Sequence, residues 1–191
     1  MPEGLSVSEV SSARDLGEFV ELPYRLYSAD PDFVPPLRTD VRWMLDPGRN
    51  PFWQHATREL FLCRRGGRVI GRIAAIADRL HNETHGEKTA FFGFFECEDD
   101  PEAARALFDA VRAYHREQGL PRFIGPMNPS TNEECGLLVE GFDTPPAVMM
   151  THALPYCGPL VEACGLVKAK DLFAYCMQNV GVPERLERGG A

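Results

Sequence analysis

The stretch Thr89-Ala90-Phe91-Phe92-Gly93-Phe94-Phe95-Glu96-Cys97-Glu98-Asp99-Asp100-Pro101 decides the fold. Its first nine residues have the aromatic, apolar composition of a strand. Gly93 breaks the aromatic run and marks a bulge. Asp99 or Asp100 can cap a following helix, and Pro101 suits its first turn, where a missing N–H costs nothing. From Pro101 to Gln118, Ala104, Leu107, Phe108, Val111 and Tyr114 share one face, while Arg105, Asp109, Arg112 and Arg116 share the other. Gly119 follows the last turn. A strand running into an amphipathic helix places the chain among α/β domains.

Upstream, Leu5 to Val10 alternates like a first strand. Ser12 stands three residues before Asp15, as in a capping box. Leu16, Phe19, Val20 and Leu26 continue at helical spacing, with Pro23 expected to end or kink that helix. Ser28 to Pro36 reads as a loop and Leu37 to Leu45 as a short helix. Glu59 to Cys63 and Val69 to Ala77 form two strands around an Arg65-Gly66-Gly67-Arg68 hairpin turn. Arg79 to Lys88 reads as a polar loop. Downstream, strands are expected at Phe123 to Met127, Ala147 to Met150 and Val167 to Met177, and a short helix at Tyr156 to Cys164. The long segment Asn128 to Pro146 reads as a loop, of the kind that is functional or disordered inside a compact domain. The expectation is a domain over residues 1–177 and a linker-like tail over 178–191.

The chain has 191 residues, 44% hydrophobic and 25% charged, enough for a sizeable core. Its formal net charge of −8 argues against nucleic acid and against an anionic membrane surface. No apolar run reaches the roughly 18–20 residues of a bilayer span. Without a visible secretory signal in Met1 to Val10, the expected compartment is cytoplasmic. The six cysteines carry no C-x-x-C pair, so neither a disulfide scaffold nor a zinc site is expected. His81 and His85 stand four apart, but they have no third ligand and no glutamate directly after His81. Arg64, Arg65, Arg68 and Arg72 cluster at the hairpin, either as a solvated tip or as an anion site.

The order of elements resembles that of the GNAT acyltransferases from about Leu5 to Met177. The wording of Asn50-Pro51-Phe52-Trp53-Gln54-His55-Ala56, Gly93-Phe94-Phe95-Glu96-Cys97, Asn128-Pro129-Ser130, Gly136-Leu137-Leu138-Val139, Gly141-Phe142-Asp143 and Lys168-Ala169-Lys170-Asp171-Leu172-Phe173-Ala174-Tyr175 resembles bacterial GNAT-like proteins with a second GNAT-like half. The resemblance implies an α/β (α+β) fold, with a central mixed, mostly antiparallel sheet flanked by helices. It implies an N-acyltransferase that uses acyl-CoA or acetyl-CoA and a small-molecule amine, with no metal. The partner it implies is a second GNAT-like half or a second copy of the chain. By resemblance, Glu96 takes the proton of the amine and Tyr156 assists the leaving thiolate. Phe95, Cys97 and Asn128 would hold the cofactor. In the long loop, Ser130, Asn132 and Glu133 are candidate substrate contacts. A strand-end carboxylate such as Glu96 can equally cap the next helix or meet solvent, and the loop can be held by its own polar side chains.

Two departures stand out. The loop that in GNAT proteins grips pyrophosphate through Arg or Gln and glycines reads Glu96-Cys97-Glu98-Asp99-Asp100-Pro101 here, with no such residue. Carboxylates there repel an anion, and Pro101 removes a donor. Aligning Gly165-Leu166 with the family's Gly-Phe pair puts Val161 where a catalytic Tyr often stands. An alternative is therefore a non-catalytic GNAT-fold unit serving in binding, scaffolding or dimerisation.

Overall fold

Two long strands form the centre of the protein, whose computed structural model describes residues 4–175. β1 (Leu5–Glu9) pairs antiparallel with β2 (Ala56–Arg65), which turns through Gly66 and Gly67 into β3 (Arg68–Asp78). Both glycines have positive φ, 57° and 83°, as this tight hairpin requires. β4 (Thr89–Cys97) lies antiparallel on β3, and β5 (Arg122–Ile124) lies parallel to β4. The sheet order is β1-β2-β3-β4-β5, with a separate ribbon of β6 (Met127–Asn128) and β7 (Glu134–Cys135). The result is the mixed, mostly antiparallel sheet that the family resemblance implies.

Both faces of the sheet are covered, which is why its strands lack polar alternation. On one face, Phe19, Val20 and Leu22 of α1 (Ala13–Leu26) and Val41 and Leu45 of α2 (Arg38–Leu45) pack over Leu60, Leu62, Ile76 and Phe94. On the other, Leu107, Phe108 and Val111 of α4 (Pro101–Glu117) and Leu160 of α5 (Cys157–Ala163) pack over Phe61, Cys63, Ile73 and Phe92. Ser12 caps α1 by accepting the Asp15 N–H at 3.1 Å, and the helix runs through Pro23 to Leu26.

Several expectations are corrected. Arg79 to Lys88 is not a plain loop: α3 (Arg79–His85) forms there because Asp78 accepts the His81 N–H at 3.1 Å and Gly86 ends it at φ 65°. The strand expected over Phe123 to Met127 is split between β5 and β6 by Gly125-Pro126, where proline supplies no N–H. The Asn128 to Pro146 segment is not structureless, since it contains β7. Ala147 to Met150 is a turn, closed by the Met150 N–H donating to the Ala147 carbonyl, with Met149 at φ 64°. Residues 167–175 form no strand; 176 and 177, like the tail 178–191, lie outside the described residues.

Candidate functional site

The register between β3 and β4 shifts at one place. Arg72 opposes Glu96, yet Ala74 opposes Gly93, so Phe94 and Phe95 both face Ile73. Phe94 sits at φ 50°, a conformation that is sterically costly for an aromatic residue. The bulge re-aims the end of β4, as bulges beside functional sites do.

Glu96 emerges there into a largely buried polar cluster, its own side chain 15% exposed. The end of α1 supplies Tyr27, whose hydroxyl donates to Glu96 Oε2 at 2.5 Å. β3 supplies Arg72, whose Nη2 lies 3.8 Å from Glu96 Oε1 while Nη1 donates to the Phe19 carbonyl at 2.7 Å. Burial pushes the Glu96 carboxyl above its ordinary range, opposed by the Arg72 charge and the Tyr27 hydrogen bond. Burial also raises the Tyr27 phenol and depresses the Arg72 guanidinium. The ring of His152 packs edge-on to Tyr27, with centroids 5.1 Å apart, and its Nε2 meets Asp30 Oδ2 at 2.9 Å. Glu134 of β7 adds another carboxyl held up by burial. A carboxylate with a raised pKa in an enclosed site is suited to holding an ammonium group or accepting its proton.

The rest of the β4 end is occupied by the chain's own groups. Beyond Phe91 the parallel pairing of β4 and β5 stops, and the segment Gly125 to Asn128 crosses β4 at Gly93. A Cβ on Gly93 would stand 1.7 Å from the Met127 carbonyl oxygen, so only glycine allows the crossing. Asn128 Oδ1 then accepts the Phe94 N–H at 2.6 Å, and its Nδ2 lies 3.5 Å from Glu134 Oε2. Tyr156, the residue preceding α5, donates its hydroxyl to the Cys97 carbonyl at 3.0 Å. Phe95 packs its ring on Phe108, and Cys97 is fully buried. Ser130 donates to Glu133, and the Asn132 N–H donates to Ser130 Oγ at 3.2 Å, so these three form a self-contained turn.

The N-terminus of α4 is closed as well. Asp100 Oδ1 accepts the N–H groups of Glu102 and Ala103 at 3.2 and 3.1 Å. Arg65 grips Asp100 Oδ2 through Nε at 3.0 Å and Nη2 at 2.8 Å, and Arg68 Nη2 meets Glu98 Oε2 at 2.8 Å. The donors a pyrophosphate would use are thus held by a fixed carboxylate, and the residues present do not fit the phosphates of CoA. The hairpin arginines are neither free nor an anion site: Arg64 meets Asp15 and Glu18, and Arg72 turns inward. Among the described residues, no three His, Cys, Asp or Glu side chains gather as a metal site.

The structure brings Glu96, Asn128 and Tyr156 to one end of β4 and keeps Ser130, Asn132 and Glu133 in their own turn. Sequence reading missed Tyr27, Asp30 and His152, and it placed Arg72 only in the hairpin cluster and Glu134 only in the long loop, neither beside Glu96. Arg72 alone carried a local signal, a lone arginine inside an apolar strand.

No family model matches the chain. It is 45% identical over 186 residues to the bacterial ceramide synthase of Caulobacter vibrioides, covering 96% of the chain and 48% of that protein. It is 39% identical over 165 residues to Protein YghO of Escherichia coli, covering 86% of the chain and 42% of that protein. The chain thus spans about half the length of the curated relatives it matches. An aminoglycoside acetyltransferase from an uncultured soil metagenomic sample, in complex with sisomicin, superposes with a TM-score of 0.53 at 12% identity, covering 92% of this chain and 97% of that one. A tandem GNAT protein from the clavulanic acid biosynthesis pathway superposes with a TM-score of 0.54 at 18% identity, covering 84% of this chain and 43% of that one. The fold of this chain is that of the GNAT-like superfamily.

Proposed function

We propose that the chain supplies the acceptor side of a GNAT-fold N-acyltransferase: it holds a long-chain amine for amide formation and has no phosphate grip of its own. The observation that carries this reading is the burial of Glu96 between Tyr27 and Arg72 at the β4 bulge. Its carboxylate would attract the ammonium group, and its raised pKa suits it to take the proton that must leave before nitrogen can attack an acyl carbon. Ceramide is an amide of a long-chain amino alcohol, so likeness to a ceramide synthase supports an amine with an alkyl chain. Exposed Val148, Met149 and Met150, just before His152, offer apolar surface for that chain. The closed α4 terminus supports a donor held elsewhere, such as on a second GNAT-like unit. Among the described residues no helix is long and apolar enough to cross a membrane. The domain is assigned to residues 1–177 and the tail to 178–191.

Isothermal titration tests the reading with sphinganine in detergent micelles, palmitoyl-CoA and free CoA as probes. Saturable sphinganine binding, weakened about tenfold or more in Glu96→Gln, is expected because a charge-assisted contact is lost. Free CoA should give no saturable heat. Tight CoA binding would overturn the missing phosphate grip, and absence of amine binding would leave the chain a scaffold or dimerisation unit.

A further inference from the structure

Three buried side-chain atoms lack a hydrogen-bond partner among the described residues: Arg72 Nε, His115 Nδ1 and His152 Nδ1. His115 lies on the buried face of α4, with its other nitrogen on the Phe91 carbonyl, away from the polar cluster. The other two belong to the cluster around Glu96. Both side chains are 7% exposed, so neither orphan is satisfied by bulk solvent.

The two orphans differ in sense. Arg72 Nε–H can only donate. His152 Nε2 faces a carboxylate, which accepts, so this nitrogen carries the proton; in the neutral ring Nδ1 is a bare acceptor. The end of α1 and a stretch without regular structure, residues 151–153, bring Asp30 and His152 together, and the rings of Phe33 and Tyr27 flank the imidazole. An alkylammonium can donate to Glu96 and to His152 but cannot accept from Arg72. A carboxylate or phosphate can accept from Arg72 but has nothing to give His152 and meets Glu96, Asp30 and Glu134. A hydroxyl both donates and accepts.

We propose that His152, fixed by Asp30, reads a hydroxyl beside the amine of the acceptor, making the cluster selective for amino alcohols over plain alkylamines. The inference rests on the acceptor-side reading above. Glu96 holds the ammonium group, His152 Nδ1 accepts the hydroxyl proton, and the same class of oxygen can accept from Arg72 Nε. Because His152 lies on an irregular segment, admitting the head group requires a shift of residues 151–153 and leaves the sheet intact.

The test compares sphinganine with octadecylamine, which lacks hydroxyls, in the same micelles. The unsubstituted protein is expected to bind sphinganine about tenfold more tightly, the ratio set by one buried polar group left unmatched. His152→Asn keeps a polar atom near the Nδ1 position and should keep that preference. His152→Gln keeps one near Nε2, and with it the Asp30 contact, and should lose the preference, bringing the two amines to about the same affinity. A purely structural role for the Asp30 contact predicts the reverse order and would overturn the assignment. Equal binding of the two amines by the unsubstituted protein would also overturn it while leaving Glu96 as an ammonium site. Binding of neither amine would overturn the acceptor-side reading and this inference with it.

Discussion

Replacing Gly93 with alanine strikes the point where the fold and the candidate site meet. The new methyl would lie 1.7 Å from the Met127 carbonyl oxygen and 3.1 Å from Asn128 Oδ1. Restoring ordinary contact needs a shift of roughly 1.5 to 2 Å between backbones, since non-bonded atoms settle near 3.5 Å. A shift that size breaks the Asn128–Phe94 hydrogen bond. Leaving that buried N–H unmatched costs about 1–3 kcal/mol, and the overpacking about 1–3 kcal/mol more. The expected loss is therefore about 2–6 kcal/mol, or roughly 4–24 °C in Tm at this chain length. Urea denaturation followed by circular dichroism measures it. Asn128→Ala should cost only the hydrogen-bond part, about 1–3 kcal/mol, and the double variant should cost less than the sum, because Gly93→Ala already breaks that bond. A Gly93→Ala protein within about 1 kcal/mol of the unsubstituted chain would refute the close crossing.

Two further perturbations separate the remaining elements. Asp100→Ala removes the α4 cap and should lower stability by about 1 kcal/mol in the same denaturation assay, without creating CoA binding by titration, because Pro101 and Glu98 remain. For Glu96, burial raises the native pKa above the unfolded one, so the native state holds more protons between those two values. That group's contribution to stability is largest below the ordinary glutamate range and falls as pH rises through the raised native value. Urea midpoints measured upward from pH 4.5 should fall less steeply in Glu96→Gln; parallel curves would contradict the burial argument.

Much of the sheet was readable because β2, β3 and β4 are apolar runs bounded by a Gly-Gly turn and by polar segments. α4 was readable because its cap, its stripe and Gly119 agree. α3 was not, since a seven-residue helix held by Asp78 and Gly86 has no buried residue to give a stripe. The candidate site was half legible. Glu96 stands out as a carboxylate ending an aromatic strand, but its partners lie 24 positions upstream on β3, at the end of α1, and beyond position 150. Only the folded register brings Arg72 opposite Glu96, and no local pattern predicts Asp30 meeting His152, which are 122 residues apart. Asn128 was expected to touch the cofactor, but its amide oxygen is taken by the backbone N–H of Phe94.

The hairpin arginines have a kinetic consequence. Arg64, Arg65 and Arg68 spend their charge on Asp15, Glu18, Asp100, Glu102 and Glu98. With a net charge of −8 and its densest group of cations neutralised at close range, the domain presents a largely negative long-range field. Such a field accelerates encounter with cationic amphiphiles and slows encounter with polyanions, before any contact is made. Added salt flattens both effects within a Debye length of about 8–10 Å, so the two classes of ligand should arrive at rates that converge as ionic strength rises.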